Sequence, residues 1–587
     1  VSRDEIALTQ ELRAADAQAR LIAQREFARP VVVEAGAGTG KTTALVARVL
    51  AWSFGPGWDR ASSLAGSDSE SARPDRIAAQ VLRGIVAITF TEMAAAEMSE
   101  RIGGALIEIE RGEPHVWLQD LQPPLRADEL RTRARALRSS LDHLVVQTIH
   151  AYCRRLLVEN ALDARLHPYL EIDADGALQE QAARSAMEAA LETVYANPGD
   201  VDFLALAAQG IGPREIEQAL IALLEAGMPA EALQTDPAAP DRIRTLIDRL
   251  REPLEGVVAS AGEDRSRVGS VATETLEYVG GLRAKLNDDP PADRTAFVQF
   301  ARSLRQHLTD RIRKRIKEWA KGEFNKGEAA VFGDRVERLS ACAGELLRVL
   351  VHVISIDLDL LDAARRALSA PLAAAQAQLR ASGVLSFSAL LVEARSLLRR
   401  RPDVAERIRT NIDQLLVDEF QDTDQCQCDI VRALALEGSP DARPGLFIVG
   451  DPKQSIYGWR RADLAAYRAF VDEVSAAHGM VVHLSVNFRS VQSVLDEAAR
   501  VIEPVMKEMP GVQPAFEPLI ASAQHADEAG FSSGRLRPVE YWLSTGWERD
   551  GSGPRETTAA GAAEIEALAL ARDLRELHDR HGVTWKS

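Results

Sequence analysis

Four clusters of residues carry groups able to do chemistry. The first is EAGAGTGKTT, where Gly36, Gly38, Thr39 and Gly40 lead into Lys41, Thr42 and Thr43. Glycines let successive backbone N–H groups converge on one small space, and a helix start behind them adds partial positive charge. That is phosphate-binding chemistry, with Lys41 suited to the β- and γ-phosphates and the Thr42 hydroxyl to Mg²⁺. The usual pattern has Gly six residues before the lysine; here that residue is Ala35. The second cluster is QLLVDEFQDTD, an apolar run ending in Asp418 and Glu419. Its first acid suits a metal ion and its second suits orienting and deprotonating a water. The third, DPKQSIYGWRRADL at 451–464, offers Gln454, Tyr457, Trp459 and Arg460 on one connection. The fourth, VVHLSVNFRS at 481–490, ends in Phe488 and Arg489, an arginine able to neutralise γ-phosphate charge. Gln18, shortly before the loop, has a two-sided amide able to read adenine, although alone it reads equally as a solvated helix residue.

Parallel strands must position these groups. VVVEA runs into the glycine loop and then a helical ALVARVLAW. GIVAITF, almost without polar residues, precedes the helix former TEMAAAEMSERI, and LVVQTIHAYCRRLL repeats the strand-to-helix pattern. Apolar strands alternating with helices predict a parallel α/β sheet buried on both faces. Thr89, Thr91, Thr148 and His150 fall at strand ends, where such sheets carry ligands. His150 also reads as a buried, satisfied histidine. Residues 53–76, rich in Gly, Ser and Pro, read as a surface loop. Residues 166–382 carry helical patterns without a phosphate loop or metal-ligand spacing, a helical insertion of domain size. Within it, RIRKRIKEWAK at 311–321 is basic in an acidic chain, either a solvated face or a phosphate contact, and Trp319 either stacks a base or packs. Residues 521–538 read as loop, 556–582 as one helix, and VTWKS as the start of a strand.

At 587 residues the chain is long enough for several domains. A net charge of -17 excludes a uniformly basic protein but not a basic track on one face. Cys153, Cys342, Cys426 and Cys428 are spaced for neither a disulfide framework nor a metal cluster, so a cytoplasmic location is expected. No apolar run is long enough for a bilayer, so no membrane partner is expected.

EAGAGTGKTT, TFTEMAAAEM, TIHAYCRRLL, LLVDEFQDTD, GDPKQSIYGWR and NFRS occur in this order. The set resembles the nucleotide-binding motifs of superfamily 1A DNA helicases of the UvrD and Rep type. It leans toward the RecB and AddA helicase–nuclease subunits in TIHAYCRRLL, the helical insertion and DPKQSIY. The resemblance implies a RecA-like ATP-binding domain (1A) from 1–165 with 383–480, a helical insertion (1B) at 166–382, and the beginning of a second RecA-like domain (2A) at 481–587. It implies ATP and Mg²⁺ as ligands, single-stranded DNA and single/double-strand junctions as partners, and 3′ to 5′ movement. Gln18 matches the adenine-contacting glutamine, Phe488 the ring that stacks on adenine, and Gln454 and Arg489 the γ-phosphate sensors. Thr91, His150, Tyr457, Trp459 and Arg460 fall in motifs that grip DNA or couple it to ATP. Met93 stands where relatives often have lysine, LSFSAL replaces a phenylalanine–aspartate pattern, and Arg461 stands where glycine is usual. Later motifs, including one supplying a second arginine to the γ-phosphate, are not found after NFRS. The sequence is therefore expected to be the N-terminal part of a longer helicase, binding ATP–Mg²⁺ but hydrolysing it poorly alone. Alternatives are one chain of a heteromeric helicase–nuclease and a non-hydrolysing DNA- or partner-binding module.

Overall fold

The computed structural model describes residues 3–66, 70–113, 124–196, 200–262, 268–458, 462–509, 513–524, 546–547, 554–555 and 558–581. Its principal strands are β1 (Val31–Ala35), β2 (Ile85–Thr89), β3 (Val145–Thr148), β4 (Glu171–Ile172), β5 (Val384–Leu385), β6 (Gln414–Val417), β7 (Gly445–Gly450), β8 (Met480–Leu484), β9 (Val486–Asn487) and β10 (Ile520–Ala521). The first helices are α1 (Arg3–Arg25), α2 (Lys41–Phe54), α3 (Pro56–Ala65), α4 (Pro74–Arg83), α5 (Glu92–Arg111), α6 (Ala127–Ser139) and α7 (Ile149–Glu159).

By internal contacts the chain divides into Val1–Ile149 with Glu406–Ser587, and His150–Ala405. The first unit is a RecA-like α/β domain built on a six-stranded parallel sheet, β3-β2-β6-β7-β1-β8. Strands β1, β2 and β6 are wholly buried, as their apolar sequences require when both faces are covered. Val31, Val33, Leu45, Val49, Leu82, Ile85 and Phe447 share one continuous core. Arg48 of α2 lies within it, 0% exposed. Its guanidinium donates to the carbonyls of Ala23 (2.9 Å) and Glu26 (2.7 Å) and to Gln414 Oε1 (3.2 Å), and lies over the Phe27 and Phe447 rings. Burial lowers its pKa to about 9, which leaves it charged at neutral pH.

Among the described residues of 53–76, most are helical and only 66 and 70–73 form the surface turn that the composition predicts for the whole stretch. Helix α2 runs to Phe54, Pro56 opens α3 at its first position, and Pro74 opens α4 in the same way. Trp52, Phe54, Trp58 and Ala61 are buried, so the segment has an apolar face that the Gly, Ser and Pro content obscures.

The second unit is helical, with two cores. One gathers Ile247, Leu276, Phe297, Ile316, Trp319, Phe332 and Leu350; the other gathers Ala183, Leu220, Leu224, Ala367 and Leu372. This unit also contains the β4–β5 ladder and the helix Phe387–Arg400. Its limits, after 149 and before 406, lie outside the 166 and 382 expected from the motifs. Trp319 does not stack a base. It is 0% exposed and meets Phe332 edge-on at 6.1 Å. Its helix, Asp310–Ala320, buries Ile312, Ile316 and Trp319 on one stripe. Arg315 of the basic segment pairs with Glu318 and the fully buried Glu328, so only part of that charge faces outward.

The helix Ala559–His581 forms as the sequence predicts. VTWKS and most of 521–538 lie outside the described residues.

Candidate nucleotide site

All the groups of this site belong to the first unit. Strand β1 delivers the glycine loop at its C-terminal end, where Gly38 (φ 74°) and Gly40 (φ 86°) adopt left-handed backbone that favours glycine. Thr39 closes the turn, its hydroxyl donating to the Gly36 carbonyl at 2.8 Å. A Cβ on Gly38 would lie 2.7 Å from Asn487 Nδ2 and 2.9 Å from Arg489 Cβ, so the loop runs hard against the segment after β9. Thr42 and Thr43 occupy the first turn of α2 and are partly exposed.

Strand β6 lies two places from β1 and delivers the acids from the same edge. Asp418 is buried, its amide continuing the ladder to the Ile88 carbonyl at 2.9 Å. Glu419 turns out of the strand in left-handed backbone (φ 49°), an uncommon conformation for a residue other than glycine. Its Oε2 accepts from Lys41 Nζ at 2.7 Å and Gln421 Nε2 at 2.8 Å. Burial, then the neighbouring Glu419 charge, pushes Asp418 up to about 6, and the same two causes push Asp422 up to about 6. Three carboxyls around one lysine leave the pocket short of positive charge, and hard oxygen donors such as these suit a divalent cation.

From β7, Asp451 organises the next corner. Gln454 Nε2 donates to Asp451 Oδ2 at 2.6 Å, and the Asp451 amide donates to Gln421 Oε1 at 2.9 Å. Gln421 therefore bridges Glu419 to the segment carrying Gln454. Lys453 pairs with Glu517 at 2.8 Å and Asp451 at 3.3 Å. His483 reaches Glu517 at 3.2 Å and Glu34 at 3.6 Å.

The last corner follows β8 and β9. Asn487 is buried, while Phe488 and Arg489 are exposed. The Phe488 amide donates to the Gly38 carbonyl at 2.8 Å. Arg20 of α1 lies over the Phe488 ring at 4.9 Å and pairs with Asp16, whose Oδ1 accepts from the Ser485 and Val486 amides. Gln18, exposed between Asp16 and Arg20, is thus carried by a helix fastened beside Phe488.

Lys41, Glu419, Gln454, Phe488 and Arg489 are joined to the glycine loop through these contacts. The groups proposed from sequence for DNA are more scattered. Thr91 is exposed and caps α5, accepting from the Ala94 amide at 3.1 Å. Tyr457 stacks on Phe90 at 5.3 Å. His150 follows the end of β3 by two residues. It sits in the first turn of α7, in the second unit, edge-on to Phe387 at 5.5 Å. Trp459, Arg460 and Arg461 lie outside the described residues. Met93, in the lysine position, is 79% exposed.

Sequence reading missed Gln421, Asp451, Asn487 and the Asp16–Arg20 pair. Gln421 and Asn487 stand inside the motifs themselves, where a polar residue beside an acid pair or an arginine was the available signal. Asp16 and Arg20 had only an i,i+4 charge spacing, which any solvated helix shows.

A parallel sheet with a glycine loop after one strand and an acid pair after another defines a P-loop, RecA-like domain. The family model described as the UvrD/REP helicase N-terminal domain matches residues 15–475, and the chain belongs to that family. It is 26% identical over 601 residues to an ATP-dependent helicase/nuclease subunit from Geobacillus kaustophilus, covering 94% of this chain and 44% of that protein. It is 26% identical over 555 residues to the RecBCD enzyme subunit RecB of Escherichia coli, covering 90% and 42%. With the ATP-dependent DNA helicase PcrA of Leuconostoc citreum it shares 39% identity over 127 residues, covering 22% and 16%. The chain spans less than half the length of these relatives. Among the described residues no single helix is long and apolar enough to cross a membrane.

Proposed function

We propose that the chain is the ATP-binding motor part of a 3′ to 5′ DNA helicase or translocase of repair or recombination. The observation that carries this reading is the join between the glycine loop and the acid pair through Lys41 and Glu419. ATP phosphates would take the loop amides of Gly36–Thr43 and the Lys41 ammonium, with adenine between Gln18 and Phe488. The oxygens of Thr42 and Asp418 fit Mg²⁺, which when bound supplies neutralisation of phosphate charge. Lys41 drawn toward phosphate leaves Glu419 free to take a proton from the attacking water. The water oxygen bonds to the γ-phosphorus, the bond to the bridging β-phosphate oxygen breaks, and ADP and phosphate result. Gln454 and Arg489 sense the γ-phosphate, and Arg489 spreads its developing charge.

Single-stranded DNA and single/double-strand junctions are the proposed partners, with Thr91, Tyr457, Trp459 and Arg460 assigned to the strand in the first unit. His150 is assigned the same chemistry in the second. Aromatic stacking tolerates any base, which suits movement along a strand. The four cysteines form no disulfide with one another, as a reducing cytoplasm would keep them. ATPase assays with and without single-stranded DNA, and unwinding of 3′-tailed against 5′-tailed duplexes, both on the full-length gene product, test the proposal. Equal turnover with and without DNA would sink it.

A second reading, one chain of a heteromeric helicase–nuclease, is favoured by alignment over nine-tenths of the sequence with proteins named as such subunits. Co-purification with a second motor or nuclease chain on duplex ends tests it, and a protein that unwinds ends unaided and recovers no partner counts against it.

A further inference from the structure

Asn487 makes more contacts at the phosphate loop than its place between a strand and an exposed phenylalanine requires. It is 3% exposed. Its Nδ2 donates to the Ala37 carbonyl at 2.7 Å. Its Oδ1 accepts from the amides of Arg489 and Ser490, both at 2.7 Å. Its backbone carbonyl accepts from the Ser522 amide at 2.8 Å, which holds β9 against β10. One amide group therefore faces two ways, toward the glycine loop and toward the turn that aims Arg489. The neighbouring Phe488 amide adds a backbone bond to Gly38, so 37–38 and 487–488 are laced by two hydrogen bonds. Only glycine fits at Gly38, because any Cβ there would displace this same Asn487 amide.

The Arg489 side chain is exposed, while its backbone is fixed through Asn487 Oδ1. We propose that Asn487 is a positioning residue that locks the backbone of Arg489 to the phosphate loop, so that the arginine discriminates nucleoside triphosphate from diphosphate. This rests on the assignment of Arg489 to the γ-phosphate made above. Its geometry separates two functions within one side chain. An aspartate at 487 keeps an oxygen for the Arg489 and Ser490 amides but cannot donate to Ala37, whereas alanine loses both sides.

The test is a double-mutant cycle on the full chain, Asn487→Ala, Arg489→Ala and both, with Kd measured for a non-hydrolysable ATP analogue and for ADP in Mg²⁺. Removing one such buried hydrogen-bonding group is expected to weaken the analogue about tenfold while leaving ADP nearly unchanged. In the Arg489→Ala background the Asn487→Ala change should add nothing further to the discrimination. Asn487→Asp keeps an acceptor for the turn but loses the bond to Ala37; it should lose discrimination, and its retained affinity for ADP is the folding control. Equal weakening of both nucleotides, or full additivity of the two substitutions, overturns the proposal and makes Asn487 a structural brace alone. If Arg489→Ala leaves discrimination intact, the phosphate assignment of Arg489 fails first, and the positioning role falls with it.

Discussion

The Lys41 ammonium lies 2.7 Å from Glu419 Oε2, a contact between residues 378 apart in sequence. That same oxygen also accepts from Gln421, so two donors occupy the atom proposed above to take a proton from water. Phosphate is the natural competitor for the lysine. Lys41→Ala should therefore lose nucleotide affinity, with ATPase falling about 10²–10³-fold. Glu419→Gln should keep affinity and lose turnover. Titration with a fluorescent nucleotide beside a phosphate-release assay separates them, and a Glu419→Gln protein that still turns over would remove Glu419 from the role of base.

Gly38→Ala is a sharper probe of the loop. Positive φ and the 2.7 Å approach to Asn487 Nδ2 leave no room for a methyl group. Nucleotide binding should disappear while the helical unit melts as before. Calorimetry read beside ligand titration decides, and wild-type affinity in this variant would contradict the loop geometry.

Asp418 is expected to trade stability for function. Its buried carboxylate, pushed up to about 6, is held against desolvation and the Glu419 charge. Asp418→Asn should stabilise the nucleotide-free protein at neutral pH by an amount on the order of 2 kcal/mol and abolish Mg²⁺-dependent turnover. A denaturant midpoint that falls instead would show that the carboxylate contributes net stability.

The His483–Glu517–Lys453 network should give the segment around Glu517 a pH window. The hydrogen bond from His483, helped by Lys453, holds Glu517 down at about 2, so its contribution is present above the ordinary value of 4.5 and is lost as pH falls toward 2. His483 is raised, first by Glu517, so its contribution is full below 6.5 and is lost as pH rises through its folded value. The tie is strongest between these limits. Protection of the Ile520 and Ser522 amides should peak there, and Glu517→Gln should flatten the profile. An identical profile in both proteins would mean the network does not hold this segment.

Trp319→Ala should cost the helical unit about 3–5 kcal/mol through the cavity it leaves, and Trp319→Phe much less. DNA affinity at temperatures where the fold survives should be unchanged. Loss of DNA binding without loss of stability would return the tryptophan to the surface role its basic neighbours suggested.

The sheet and its loop were legible because apolar strands ending in glycine or paired acids are local patterns, and Val31–Ala35 or Gln414–Val417 need no distant information to read. Residues 53–76 were misread because Phe54, Trp58 and Ala61 find their core partners only in three dimensions. Trp319 was ambiguous for the same reason, since charge on one face of a helix says nothing about how deeply the other is buried. Gln421 and Asn487 were in view but silent, because their partners, Asp451 and Ala37, are fixed by the fold and not by spacing.

The strand order has a consequence for synthesis. Strand β1, five buried residues, is paired on both sides by strands made more than 400 residues later, β7 and β8. At ordinary rates of roughly 5–20 residues per second, the nascent chain carries an unpaired apolar strand for on the order of half a minute or longer. The helical unit, whose two cores are built from residues within 150–405, is free to fold during that interval. The nucleotide site therefore closes only after the whole helical unit has been made, and the period before it closes is when the emerging chain most needs protection from aggregation.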